Sequence, residues 1–306
     1  MEKKMFGFVM FIMAFVCAMM LSGCGAVSFY SGSNTVINAS GNSHSVSVLE
    51  KDMESAVALL YAKKDDGQLR MFCTATAFER SGKTYRFVTA AHCVAEDING
   101  MVELVPYQWF ISFDEPGVKT FYPAKLLGVG YQSRGDDFAV LETTLDRQIP
   151  VIPMSATDAE LGEQVSNVAS PLGLGKQLFR GHVTTVYMDR PVVGAGLNWT
   201  GATLLQISCG PGSSGSSVVS QNRHTIVSIL VGMIYRGPAV FIVSIPVTKF
   251  NRFWRDIQTN KYPWYAPAFN ANGIPVSTSS SQRDLSNFMN RIDRGLSVVL
   301  EPEPTK

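Results

Sequence analysis

Val88-Thr89-Ala90-Ala91-His92-Cys93 ends a short apolar, strand-like run on a histidine and a cysteine. A lone histidine in that position is weak information, because most histidines are structural or surface residues. Two further stretches change its weight. Asp136-Asp137-Phe138-Ala139-Val140-Leu141 sets a carboxylate directly before an apolar strand, and GPGSSGSSVVS, residues 210 to 220, puts five serines and three glycines into eleven positions. Each alone reads as a turn or a loop. Together they supply a base, a group to orient it and a nucleophile. A serine hydroxyl attacks at neutral pH only when an imidazole takes its proton, and the imidazole keeps the needed tautomer when a carboxylate accepts its other N–H.

The surrounding chain is built for strands. Between about Met53 and Pro246, short β-rich runs recur between turn signals, among them AVALLY, YRFVTA, WFISF, FAVLE, TLLQIS and AVFIVSI. That punctuation argues for a sandwich or barrel pair and against alternating βαβ units. After Pro246 the period changes, and Val247, Phe250, Phe253, Trp254 and Ile257 fall on one face of a closing helix. Leu285, Phe288, Met289, Ile292 and Leu296 repeat the helical spacing later, after a Pro- and Ser-rich stretch, with Ser281 and Asp284 as a capping start. This second helix reads as one docked on its own domain, with a partner-binding or oligomerising helix as the alternative.

At this point the residues resemble a family, the trypsin-like (chymotrypsin-fold) serine endopeptidases, in which TAAHC carries the general base. The order His92, Asp137, Ser214 matches, with separations of 45 and 77 residues; subtilisin and α/β-hydrolase orders differ. Within the family the likeness is nearest to bacterial HtrA-type proteases, because LGEQVSNVASPLGLGKQLFRGHVTTV (161 to 186) looks like their strand, Pro-Leu-Gly turn and Gly-x-Val strand. The resemblance spans residues 53 to 258. It implies an all-β fold of two packed six-stranded antiparallel barrels with a C-terminal helix, a His92-Asp137-Ser214 triad, and an oxyanion hole from the N–H groups of Gly212 and Ser214. It favours Asp137 over Asp136, and leaves Ser213, Ser216 and Ser217 as scaffold. It further implies a disulfide between Cys73 and Cys93, with two free thiols as the alternative. The substrate pocket would have Ser208 at its floor and Val231, Gly232, Met233 and Ala239 along its walls. No carboxylate occupies these positions, so an aliphatic or medium-sized apolar P1 residue is expected rather than Lys or Arg.

The chain departs from the pattern in three places. Ser216-Ser217 stands where Gly-Pro is usual, Ser213 replaces an aspartate used in zymogen activation, and the 48 residues after 258 are too few and too polar for a PDZ domain. Cys209 has no partner left and reads either as a small buried residue or as a redox-sensitive thiol.

At the N-terminus, Lys3 and Lys4 precede an apolar run from Met5 to Leu21 that ends in Leu21-Ser22-Gly23-Cys24. This resembles a bacterial lipobox, which implies a signal over residues 1–23 and a membrane anchor at lipidated Cys24; an uncleaved anchor is the alternative. Either exports the rest, giving an envelope protein facing the periplasm or the cell exterior, where thiols pair. Residues 24–52 read as a flexible tether, 53–258 as the protease domain and 259–306 as a tail. A net charge of +1, from 26 basic and 25 acidic residues, gives no nucleic-acid footprint. His44, His92, His182 and His224 are scattered without zinc spacing, and the expected hydrolysis needs no metal or cofactor. The expected partners are polypeptide substrates, with an oligomer open. Two other functions fit the same residues: a protease-fold lipoprotein that binds peptides without cutting them, and an esterase, although the G-x-S-x-G elbow is missing.

Overall fold

The computed structural model describes residues 46–261, apart from 64–66, 99–100, 114–118, 189–192, 195–196 and 237–238, together with short strands at 35–37, 43–45 and 297–299. Residues 1–45 form a unit of their own, in which Thr35–Ile37 and Ser43–Ser45 pair antiparallel. The export segment, Cys24 and the expected second helix lie outside the described residues. Among the described residues no helix is long and apolar enough to cross a membrane.

The body is two closed antiparallel barrels. In the first, β1 (Val57–Lys63), β2 (Leu69–Ser81), β3 (Thr84–Thr89), β4 (Gln108–Ser112), β5 (Tyr122–Val129) and β6 (Ala139–Thr144) close in the order β6-β3-β2-β1-β4-β5. In the second, β7 (Gln164–Ala169), β8 (Gln177–Thr185), β9 (Thr203–Gln206), β10 (Ser217–Ser220), β11 (Ile226–Arg236) and β12 (Ala239–Pro246) follow the order β10-β7-β8-β9-β12-β11, and β10 pairs with β11 to shut the ring. Closure leaves few edges exposed in either barrel. The short apolar runs are therefore strands of two rings, as expected.

Helix α2 (Val247–Gln258) leaves the second barrel and packs on the first. Phe250 meets Phe78 of β2 and Phe138 edge-on, with ring centroids 5.3 and 5.4 Å apart, and Phe253 lies 5.8 Å from Phe138. Trp254 adds a hydrogen bond from Nε1 to Glu79 at 3.1 Å. Such aromatic pairs contribute about 1 kcal/mol each beyond area burial. Phe138 directly follows Asp137, so this cluster also anchors the chain at that carboxylate.

The folded body starts earlier than the sequence suggests. Helix α1 (Val48–Ala56) begins inside the expected 24–52 tether, and Leu49, Met53 and Ala56 are buried. Its start is a capping box: Ser47 Oγ accepts from the Glu50 N–H, and the Glu50 carboxylate accepts from the Ser47 N–H at 2.9 Å. Ser47-x-x-Glu50 was legible, but its polar setting masked it.

Glu50 ties this helix to the second barrel. Its carboxylate receives both arms of Arg180 on β8, at 2.6 and 2.7 Å, and the Ser166 hydroxyl at 3.2 Å. Burial alone would raise the Glu50 carboxyl above its ordinary 4.5, but the Arg180 hydrogen bonds, the Ser47 N–H and the Arg180 charge together hold it below that value. A carboxyl lowered by folding stabilises fully above its unfolded pKa and loses that contribution as pH falls through the folded one. Glu50→Gln is thus expected to cost about 2 kcal/mol at pH 7, discounted from a fully buried pair because the Arg180 side chain is 34% exposed. Urea melts of both proteins check this. The gap between their midpoints should hold at neutral pH and narrow as pH falls below 4.5.

Candidate active site

His92 sits in a single 3₁₀ turn, Ala91–Cys93, directly after β3. Asp137 directs Oδ1 to the His92 backbone N–H at 2.9 Å and Oδ2 to Nδ1 at 2.8 Å. An ionised carboxylate only accepts, so this contact makes Nδ1 the protonated nitrogen and leaves Nε2 free to take a proton. The pair is 6% and 1% exposed, respectively, so water does not compete for it. Asp136, the alternative carboxylate, instead lies 3.8 Å from Arg252. Cys73 on β2 is disulfide-bonded to Cys93, which pins the turn to the neighbouring strand. Closing that loop of about 20 residues contributes around 3 kcal/mol. The two sulfurs and the His92 ring lie close together, but sulfurs bonded to each other hold no metal.

The serine loop comes from the other barrel. Ser213 closes it, donating its N–H to Gly210 O at 2.9 Å and accepting the Gly210 N–H on Oγ at 3.2 Å. Leu172 donates its N–H to Pro211 O at 2.6 Å. Every peptide here is trans, so the Gly212 N–H points to the opposite side from that carbonyl. Gly212 has φ +93°, and a Cβ there would meet Ser170 O at 2.6 Å, so glycine is required twice over. Among the described residues neither the Gly212 nor the Ser214 N–H donates to a protein acceptor. Nor does a hydrogen bond join Ser214 Oγ to His92, although Ser214 is only 8% exposed. The His–Asp half is closed and the Ser–His half is open.

What brings the halves together is a set of threonines that motif reading passed over. Thr74 donates its N–H to Ser214 O at 2.9 Å and its hydroxyl to Gly212 O at 2.8 Å, while that hydroxyl accepts the Ser170 N–H at 3.2 Å. Thr89 Oγ1 donates to Thr74 O at 2.8 Å, and Thr76 Oγ1 accepts the Ser217 N–H at 3.3 Å. Gly215, next to the serine, presses so close that a Cβ would lie 2.5 Å from Thr74 O and 2.7 Å from Ala90 N. The available signal was hydroxyls in the Thr74-Ala75-Thr76 run beside Cys73, mid-strand positions that usually carry apolar groups.

A family model for the trypsin-like peptidase domain matches residues 73–229, just over half of the chain. The chain belongs to the trypsin-like peptidase domain family. Among solved structures, the HtrA-type protease AlgW with a tripeptide superposes with TM-score 0.50 at 18% identity, covering 70% of this chain and 62% of that one. A Ser-to-Ala variant of AlgW with a tripeptide gives 0.52 at 17%, covering 73% and 67%. At such identity the likeness is one of fold. No curated protein matches the chain in sequence.

The residues expected to wall the pocket lie along β11 and β12. Val231 and Gly232 are buried on β11, and Met233 joins a second-barrel cluster against which Ile207 and Cys209 pack. Ala239 begins β12, opposite Arg236. Ser208 is exposed, while Ile207 and Cys209 on either side of it pack against that cluster. Burial pushes the Cys209 thiol up to about 12, so it is a neutral apolar group at any ordinary pH. Native protein at pH 8 should therefore react with iodoacetamide at Cys209 at least tenfold more slowly than after unfolding in urea, by mass spectrometry.

Thr74→Val keeps the shape of the side chain and removes the hydroxyl, leaving Gly212 O and the Ser170 N–H unpartnered. Loss of about 1–3 kcal/mol is expected in thermal melts, with Thr74→Ser close to wild type. Reactivity of Ser214 toward a fluorophosphonate should fall tenfold or more in the valine variant alone.

Proposed function

We propose that this protein is a membrane-tethered serine endopeptidase that cuts exported polypeptides. The observation that carries the reading is the buried His92–Asp137 pair facing a glycine-braced serine loop whose Gly212 and Ser214 amides are uncommitted. Ser214 Oγ attacks the scissile carbonyl, and its proton passes to His92 Nε2. Asp137 stabilises the imidazolium while the two loop amides receive the oxyanion. His92 then protonates the leaving amine. Water, deprotonated by the same nitrogen, attacks the acyl carbonyl, and Ser214 Oγ leaves by taking that proton back from His92 as the carboxylic acid is released. Losing one amide donor of this kind costs about 3 kcal/mol of transition-state stabilisation. The lack of a carboxylate at Ser208, Val231, Gly232, Met233 and Ala239 supports an apolar P1 side chain. Tethering rests on Cys24 and the apolar run before it.

One observation favours a second reading. With no Ser214–His92 hydrogen bond the chain would bind peptides without cutting them, although such bonds commonly tighten only once substrate is bound. Fluorophosphonate labelling of the purified protein with peptide mass spectrometry separates the two. An adduct on Ser214, absent in Ser214→Ala and slowed about a thousandfold in His92→Ala, is expected of the peptidase. No adduct on folded protein supports the binder. Cleavage of a peptide library only after Lys or Arg would overturn the apolar P1 assignment.

A further inference from the structure

β11 is longer than its neighbour. β10 covers one edge of it only as far as Ile229, opposite Ser217, and the hydrogen bonds from the Gly215 N–H to Leu230 O and from the Leu230 N–H to Ser216 O finish that contact at 2.8 and 2.9 Å. After a register shift between Leu230 and Gly232, the strand continues to Arg236 with β12 along its other side. From there the free edge would present a row of unpaired N–H and C=O groups, a template for any extended chain. It is occupied. A strand near the C-terminus, β13 (Ser297–Val299), lies along it in parallel, with Met233 opposite Ser297, Ile234 opposite Val298 and Tyr235 opposite Val299.

This edge adjoins the serine. Leu230 holds Gly215, the residue after Ser214, and Met233 lies three residues further on, roughly 10 Å along the strand at about 3.3 Å per residue. A polypeptide with its scissile carbonyl at Ser214 reaches Met233 within about four residues, so it meets the tail there. The tail suits the place: Ser297-Val298-Val299-Leu300 is β-forming, Gly295 precedes it, and Pro302 and Pro304 stop further pairing.

We propose that the outer edge of β11 at Met233–Tyr235 is a binding site for extended polypeptide, that its resident ligand is the chain's own Ser297–Val299, and that a substrate must displace this tail to reach Ser214. The occupancy stands on the strand pairing; the competition with substrate rests on the peptidase reading. Three residues of parallel pairing are weak alone. The 35 residues between Lys261 and Ser297 keep the tail at an effective concentration on the order of millimolar, enough to hold a weak strand and low enough for a good substrate to win.

Val298→Pro with Val299→Pro removes two strand N–H groups in a full-length chain whose barrels are untouched. In a Ser214→Ala background, fluorescence anisotropy with a labelled GLSVVLE peptide (295–301) should show at least fivefold tighter binding to the proline variant than to the intact tail. Equal binding, or no binding to either, overturns the proposal. With Ser214 restored, KM for a fluorogenic peptide should fall several-fold at unchanged kcat, and an unchanged KM overturns the competition. Absence of turnover in both proteins counts against the peptidase reading alone, since anisotropy still decides the edge. A dimer that dissociates on proline substitution would assign the tail to a second copy and overturn occupancy in cis.

Discussion

Thr74 commits its N–H, its carbonyl and its hydroxyl to the seam where the two barrels meet, and three of its partners belong to the serine loop or the turn that braces it. His92 and Asp137 sit on the first barrel; Ser214 and its loop, with the Gly212 and Ser214 amides, sit on the second. No covalent bond spans that division at the site, because the disulfide joins two parts of the first barrel. Register between the halves depends on buried hydrogen bonds and on Gly215 fitting where no side chain can. In a dry seam each such bond is costly to lose, since the partner left behind has no water to turn to.

The substitution of Ser216-Ser217 for the usual Gly-Pro is absorbed by one residue of β7. Asn167 donates its Nδ2 to Ser216 Oγ at 2.9 Å and to Ser217 O at 2.8 Å. The strand after Ser214 keeps regular pairing with β7, and pairs with β11 across a register shift between Val218 and Val219. Satisfaction is incomplete: the Asn167 Oδ1, Ser217 Oγ and Ser228 Oγ atoms are buried without a protein partner. Polar groups at that density beside a nucleophile cost stability that apolar residues of equal volume would not. The region around Ser214 is shaped for polar positioning more than for packing.

Legibility from sequence followed how local each signal was. Two barrels and α2 could be read because alternation and a clean 3.6-residue face are carried by neighbouring residues, Phe250 and Phe253 among them. His92, Asp137 and Ser214 could be singled out because each sits in a distinctive short motif. Thr74 could not, since its hydroxyl meets Gly212 from 138 positions away. Helix α1 hid inside a stretch whose composition says tether, since part of what holds it is a carboxylate reaching Arg180, 130 residues on. The strand at Ser297–Val299 is too short to announce itself without the edge that receives it.

The open Ser–His contact follows from the same division. His92 and Asp137 are fixed within one ring, where Ala139 pairs with Thr89 and the disulfide holds the turn. Ser214 is fixed across the seam, and its loop also leans on the turn at 171–173 through the Leu172–Pro211 hydrogen bond. Leu172 adopts φ 55°, a left-handed conformation that costs a non-glycine residue about 1–2 kcal/mol, and the residue is 68% exposed. The Pro211 hydrogen bond is one contact that offsets this strain. His92 and Asp137 are thus held within one ring, while Ser214 and the Gly212 and Ser214 amides are held across the seam, between a left-handed surface turn at Leu172 and a strand edge covered by Ser297–Val299.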